Sequence, residues 1–381
     1  MVERKKCCGC SACYNICPQD CITMEEDNLG FLYPTINKNN CVNCNLCENV
    51  CPPLHKKKDE KYIPSAWGGY VSDKNLRLAS SSGGLFSLFA KQIINEDGII
   101  FGAALTDDCR KVKHIMVNNI QDLAKLRGSK YVQSEIGNTY KIAQKELQAG
   151  RKVVFSGTPC QIEGLNLFLK KEYKNLLTIE IICHGTPAPR LFEKYIDFME
   201  KKLGDIIKHV FFRDEVGGGN LIMKLETEKG KLYRKNKLLD PYYKMFLSNT
   251  CLRESCYHCP SRGLTQRADI TLSDFWGVEN VSPDLVDEGG ISLVIIHTEK
   301  GEKVFNSIKE DCIGHTVNFN EAIKGNSSFF ESYKRPLLRN SIEKDIEMLS
   351  FQKIVWKYAY SKREKIIKIL KKISLYDYFK K

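Results

Sequence analysis

KVVFSGTPCQIEGLNLFLKKEYKNLLTIEIICHGTPAP, residues 152–189, reads as one strand–loop–helix unit followed by the start of a second. KVVFS (152–156) is a short apolar run of the kind a buried strand carries, and it leaves through GTPCQ (157–161) into a helix reaching about Lys171. LLTIEII (176–182) repeats the pattern and leaves through CHGTPAP (183–189) into a long helix over 190–203. Buried strands joined by helical crossovers predict an α/β class with a mostly parallel sheet. Both exit loops carry Gly-Thr-Pro and a cysteine, Cys160 or Cys183. Ligands collect at the carboxyl ends of strands in such a sheet. Gly157 and Thr158 are therefore candidate cofactor contacts, and two such loops on neighbouring strands bring Cys160 and Cys183 to one edge.

Working outward toward the N-terminus, GIIFGAAL (98–105), VKHIMV (112–117) and WGGYVS (67–72) read as strands, and 137–149 as a helix ending at Gly150. SSSGG (80–84) opens the amphipathic helix LFSLFAKQII (85–94). Such a loop can cradle a diphosphate, with Ser81, Ser82, Gly83 and Gly84 as the candidate contacts, or serve as a plain N-cap. RGSKYVQS (127–134) sets Arg127, Ser129 and Lys130 around a glycine, suited to an anion, with Tyr131 able to stack on a ring. Its alternative is a surface turn. Neither the dinucleotide fingerprint G-x-G-x-x-G nor the P-loop G-x-x-x-x-G-K-[ST] occurs.

Toward the C-terminus, HVFFRD (209–214), NLIMKLET (220–227) and KLYRK (231–235) predict an antiparallel extension, and a helix near 240–248 follows. CLRESCYHC (251–259) is a third cysteine group, and ADITLSDFWG (268–277) and ISLVIIHT (291–298) are strand-like. From about Ser341 the tail is helical and lysine-rich (KREKIIKILKKIS, 362–374). A basic amphipathic helix of this kind packs on its own protein or lies on an anionic membrane surface. His114 and His184 read as structural histidines with a proton-relay alternative, and Asp274 and Trp276 as site walls. No residue is assigned a catalytic role.

The first 51 residues hold ten of the 17 cysteines. Cys7, Cys10, Cys13 and Cys17 are spaced C-x2-C-x2-C-x3-C before Pro18, and Cys41, Cys44, Cys47 and Cys51 repeat that spacing before Pro52. This is the bacterial dicluster ferredoxin pattern, in which three thiolates wrap one 4Fe-4S cube and the fourth reaches the other cube. One cube then takes Cys7, Cys10, Cys13 and Cys51, the other Cys41, Cys44, Cys47 and Cys17. Zinc asks instead for separated ligand pairs, and a disulfide knot for a secretory context. Cys8 and Cys21 read as spare thiols, and so do Cys109 and Cys312. Four thiolates from three segments, Cys160, Cys183, Cys256 and Cys259, form a set for a third cube. The alternative is a zinc site at Cys256 and Cys259 with Cys160 and Cys183 as packing residues, and Cys251 rivals any of the four.

The 381 residues contain 43% hydrophobic side chains, enough for two or three cores. The divisions expected are a ferredoxin-type module (1–57), a charged linker (55–64), an α/β unit in two parts (66–188 and 189–340) and the basic tail (341–381). Cysteine-rich composition without an apolar leader or an 18-residue apolar run predicts a cytoplasmic protein with no transmembrane segment. The formal charge of +12 falls to about +8 with two cubes and roughly +4 with a third cube and a flavin diphosphate. Nucleic acid is not expected, since the lysines form no stripe.

Taken in order, SSSGG, RGSKYVQS, FSGTPCQIEGL, ICHGTP, SCYHC and DITLSDFWG resemble the coenzyme F-420 hydrogenase/dehydrogenase beta-subunit family over about residues 66–280, with a fused dicluster ferredoxin. The resemblance implies an α/β domain holding FAD on the SSSGG and RGSKYVQS loops, with a 4Fe-4S centre on Cys160, Cys183, Cys256 and Cys259. It implies an oxidoreductase passing electrons between iron–sulfur clusters and a small two-electron substrate, with a redox protein as donor or acceptor. The alternatives are an electron-carrier subunit without a substrate site, and a redox-sensing interaction protein.

Overall fold

A computed structural model describes residues 1–55, 63–214, 221–265 and 268–372. Most of the charged linker and the last residues of the tail lie outside these.

The strands, in chain order, are β1 (Ile22–Glu26), β2 (Leu32–Ile36), β3 (Ser65–Val71), β4 (Ile99–Leu105), β5 (Val112–Val117), β6 (Ser134–Glu135) and β7 (Val153–Gly157). They continue as β8 (Leu176–Ile181), β9 (Ile207–Phe211), β10 (Ile222–Thr227), β11 (Leu232–Asn236), β12 (Ile270–Asp274), β13 (Ser292–Ile296) and β14 (Cys312–Val317). Nine of them form one sheet in the order β14-β3-β13-β12-β8-β7-β4-β5-β6. Its centre, β12-β8-β7-β4, is parallel. The flanks β14-β3-β13-β12 and β4-β5 are antiparallel, and β5-β6 is parallel. The sheet is thus α/β and mixed, where the strand–helix succession pointed to a mostly parallel one. The parallel rule holds where a helix crosses over, and fails where β4 turns directly into β5 and where β12 runs antiparallel beside β13. The antiparallel extension is a separate three-stranded sheet, β11-β10-β9.

β7 and β8 are neighbours, with Gly157 paired to Glu180, so both Gly-Thr-Pro loops leave the same edge. Helices cover both faces. Leu85, Phe89 and Ile93 of the helix Leu85–Asn95 pack on one face, and Tyr140, Ala143, Leu165 and Phe168 on the other. A third core joins the helix Pro189–Leu203 to the three-stranded sheet and to Ile342, Ile346, Ile354 and Val355 of the tail helices. Those helices, Arg339–Met348 and Phe351–Tyr358, are therefore built into the fold. In the last helix, Lys362–Lys372, Ile366 and Ile369 are exposed, while Glu364 pairs with Lys244.

The cysteine-rich module shares the large cores. Leu29 and Phe31 sit in the third core, and Cys8, Cys10, Ala12 and Val50 in the one beside Leu165. β1 and β2 form its hairpin, closed by Gly30 N–H donating to Asp27 O at 2.8 Å. Among the described residues, no helix is long and apolar enough to cross a membrane.

Candidate iron–sulfur and cofactor site

Each cysteine repeat folds the same way. The residue after the second cysteine, Ser11 or Asn45, takes a left-handed conformation (φ 58° in both), and a single helical turn carrying the third cysteine follows. Cys7, Cys10, Cys13 and Cys51 line one hollow together with Cys8 and Cys47. Cys17, Cys41, Cys44 and Cys47 line a second, more open one together with Cys21, whose sulfur is 3.4 Å from that of Cys17. The fourth cysteine of each repeat thus faces the other repeat's ring. Burial, followed by the neighbouring Cys7, pushes the Cys13 and Cys51 thiols up to about 12.

A third hollow lies at the carboxyl edge of β7 and β8. Cys160, Cys183, Cys256 and Cys259 line it, and so does Cys8. Burial, then Cys256 and Cys160, pushes the Cys183 thiol well up, and burial with Cys160 and Cys256 pushes Cys259 up to about 12. Neighbours within the set thus help raise Cys183, Cys256 and Cys259, whereas Cys8 raises Cys160. The Gly-Thr-Pro threonines serve them: Thr158 Oγ1 lies 3.3 Å from Cys160 Sγ, and Thr186 offers its N–H at 3.5 Å and its Oγ1 at 3.6 Å to Cys256 Sγ. Among the described residues, no group of three or more Cys, His, Asp or Glu converges on a single metal-ion position. Cys251 is elsewhere, fully buried in the third core with its thiol aimed at Met245 O (3.6 Å).

Neighbouring hollows share cysteines. Cys47 lines both outer ones, and Cys8 lines both the Cys7 ring and the inner ring. Cys8 also stands within hydrogen-bond reach of both Cys10 and Cys160. Cys8, a spare thiol in the sequence, thus lies at both hollows, and the Cys7-Cys8 doublet is the only mark of it in the sequence. Beside it, the fully buried Arg253 donates to Cys7 O (2.7 Å), Gln133 Oε1 (3.0 Å) and Leu32 O (2.9 Å). Nothing in CLRESCYHC singled it out. Cys109 and Cys312 donate to backbone carbonyls of Lys208 and Ile308 and line none of these hollows.

The two candidate cofactor loops touch, Ser129 N–H donating to Ser81 Oγ at 2.6 Å. Other groups of SSSGG are tied to β13 and the residue before it: Ser82 Oγ donates to Ile291 O, and Gly83 N–H to Ser292 Oγ. Gly84 (φ 88°) starts the helix Leu85–Asn95. Among the described residues, Lys130 donates to the backbone carbonyls of Lys125 and Arg127 alone, and burial lowers its ammonium to about 7. Arg127 Nε is buried without a hydrogen-bond acceptor among the described residues. Two cationic side chains held away from carboxylates fit an anionic cofactor such as a flavin diphosphate. Tyr131 is stacked on Phe246 at 5.2 Å. At the far end of the same segment, Gln133 lines the inner cysteine ring.

His114 lies flat on Phe155, its Nε2 2.9 Å from Ser156 O, and burial lowers it to about 4. His184 sits between Phe246 and Tyr333 with Nε2 2.6 Å from Asn249 Oδ1, and burial lowers it too. Both environments hold a neutral ring. Asp274 pairs with Arg213, while Trp276 is half exposed.

Residues 6–53 match the model of the 4Fe-4S dicluster domain, and residues 150–321 match that of the carboxy-terminal part of the coenzyme F420 hydrogenase/dehydrogenase beta subunit. The chain is similar to coenzyme F420-dependent sulfite reductase of Methanocaldococcus jannaschii, 26% identical over 345 residues, which are 89% of this chain and 51% of that one. It therefore spans about half the length of that relative. It is also similar to coenzyme F420 hydrogenase subunit beta of Methanococcus voltae, 26% identical over 262 residues, 68% of this chain and 80% of that one. Among solved structures, it resembles a chain from the xenon-derivatised F420-reducing [NiFe] hydrogenase complex of Methanosarcina barkeri. The TM-score is 0.48 at 17% identity, covering 78% of this chain and 94% of that one. The chain thus carries a 4Fe-4S dicluster domain, and its residues 150–321 match the carboxy-terminal family of the coenzyme F420 hydrogenase/dehydrogenase beta subunit.

Proposed function

We propose that the protein is an iron–sulfur, flavin-dependent oxidoreductase that passes electrons between its 4Fe-4S clusters and a two-electron substrate through FAD. The observation that supports this reading most is the run of segment 127–134. Its Ser129 is bonded to the SSSGG loop, and its Gln133, four residues on, lines the inner ring of Cys160, Cys183, Cys256 and Cys259. A flavin bound at these loops supplies the exchange between one-electron and two-electron carriers.

In this reading Cys7, Cys10, Cys13 and Cys51 hold one cube, Cys17, Cys41, Cys44 and Cys47 the second, and the inner four a third. Cys8 and Cys47, shared between neighbouring hollows, keep the three sites within short reach of one another. Arg127 and Lys130 hold the cofactor's anionic part, and Ser81, Ser82, Gly83, Gly84, Ser129, Tyr131, Gly157 and Thr158 shape its surroundings. An anion beside Lys130 stabilises its charged form, which burial alone opposes. Redox proteins exchange electrons at the outer ring, where Cys44 is exposed. Both named relatives carry coenzyme F420 in their names, and that hydride carrier is the first substrate to test.

The test is anaerobic purification with iron, sulfide and flavin counted per chain. About twelve irons and one flavin support the reading. About eight irons without flavin sink it and leave an electron-carrier subunit, the role suggested by the relative named as a hydrogenase subunit.

A further inference from the structure

We propose that Arg253 is the resident counter-ion of the cube on Cys7, Cys10, Cys13 and Cys51, and that it holds this cube's reduction potential above that of the exposed cube. The inference rests on the cluster reading above and adds a residue to it.

Arg253 is among the largest side chains buried to within 2% of completely. The other deeply buried guanidiniums are paired with carboxylates, Arg213 with Asp274 and Arg339 with Glu343. Arg253 is different. Its partners among the described residues are two backbone carbonyls, the Gln133 amide and, from Nη2 at 3.7 Å, the sulfur of Cys7. The rings of Tyr33 and Phe31 face it at 4.2 and 5.2 Å.

A charge removed from water without an opposite charge is costly, and neutral carbonyls and ring faces offset only part of that cost. Neutral thiols do not complete the offset. A cube with four thiolates carries about two negative charges and does. Arg253 also feels Cys256 of the inner ring, so its charge reaches both cysteine sets.

The effect on potential follows from charge. Reduction adds one electron and no proton or bond, taking the cube from a 2+ to a 1+ core. A fixed cation next to a ligand sulfur stabilises the more negative, reduced form and raises the potential, as does a hydrogen bond to that sulfur. Arg253 does both at Cys7, while the other ring has its Cys44 in contact with water. An electron entering at the exposed cube then runs inward to a better acceptor.

The experiment is an anaerobic redox titration followed by electron paramagnetic resonance, on the full chain reconstituted with iron and sulfide and reduced with dithionite. Cys44→Ser assigns the exposed cube by its altered signal. In Arg253→Gln the midpoint of the Cys7 cube should fall by at least 59 mV, a tenfold change in a one-electron equilibrium, with the exposed cube unmoved. Arg253→Lys should shift it less. Equal midpoints in wild type and Arg253→Gln, equal shifts in both cubes, or a lysine variant shifted as far as glutamine overturn the proposal while leaving the clusters in place. A wild-type chain that assembles no cube sinks the cluster reading itself, and the proposal with it. If Arg253→Gln does not fold, Arg253→Lys carries the test, since it removes the Nη2 contact to Cys7 Sγ. A Cys7-cube midpoint equal to that of the wild type then overturns the proposal.

Discussion

Gly9 sits in the first cysteine loop at φ +73°, and a methyl group added there meets the junction between the cysteine module and the α/β unit. Its Cβ would fall 2.7 Å from Arg253 Nη1, 2.9 Å from Cζ and 3.0 Å from Gln133 Nε2. Arg253 cannot swing aside without losing its bonds to Cys7 O, Gln133 and Leu32 O. Two costs add in Gly9→Ala. The left-handed backbone costs about 1–2 kcal/mol for a residue with a Cβ, and overpacking a filled site costs about 1–3 kcal/mol. The sum, about 2–5 kcal/mol, is a large share of the ~5–15 kcal/mol that holds a typical protein together. Gly150→Ala is the control, because Gly150 has φ +84° with nothing within 4 Å of its Cβ. It should show only the backbone part. The assay is urea unfolding of the metal-free chain for both variants, alongside iron counts on anaerobically loaded protein. Gly9→Ala should lose about 1–3 kcal/mol more than Gly150→Ala and retain fewer irons. Equal losses in the two variants would refute the claim that this glycine exists to admit Arg253.

Cys256→Ser should lower the iron count by about four per chain, whereas Cys251→Ser, whose sulfur points at Met245 O, should leave it unchanged. A matching loss in both variants means that the inner ring is wrongly composed. Thr186→Val removes the hydroxyl 3.6 Å from Cys256 Sγ but keeps the side-chain shape, so the inner cube's midpoint should fall in a redox titration while folding holds. An unmoved midpoint excludes that hydrogen bond from tuning. In the metal-free chain, Cys13, Cys51 and Cys259 are raised from 9.0 to about 12, with burial the first cause in each. The folded chain keeps these protons where the unfolded chain has released them, so this stability is full below pH 9.0 and falls as pH rises toward about 12. Denaturation midpoints that stay flat from pH 8 to 11 would contradict that burial.

Local order in the sequence made much of this legible. The two C-x2-C-x2-C-x3-C runs and the repeated Gly-Thr-Pro are short-range patterns, and the structure puts Cys51 with the first ring, Cys17 with the second and Cys160 beside Cys183. β7 and β8 could be read as parallel neighbours because a helix connects them. Long-range pairing left no such trace. The edge strand β14 (CIGHTV) has a central glycine and mostly exposed side chains, so no apolar alternation announces it. β3 lies between β13 and β14, more than 200 residues away in the chain, and only tertiary packing assigns that place. Arg253 was illegible for the same reason. Its partners at Cys7, Leu32 and Gln133 come from segments 120 or more residues distant.

The Gly-Thr-Pro repeat shows how one local device performs two tasks. In the first copy Pro159 starts the helix Pro159–Leu169, and Thr158 caps it together with Gln161, whose side chain answers the Thr158 N–H at 3.0 Å. The same helix presents Gly164 to Cys10, since a Cβ there would lie 2.9 Å from both Cβ and Sγ of that cysteine. One helix therefore carries Cys160 of the inner ring at its start and receives the first cysteine loop on its side. In the second copy Thr186 hydrogen-bonds Cys256, and Arg253 N–H donates back to Thr186 O at 2.9 Å. The loop that orients an inner-ring sulfur is thus bonded to the residue that holds Cys7. The cysteine module is docked through the very elements that build the inner ring, so a change that loosens the docking must disturb the ring as well.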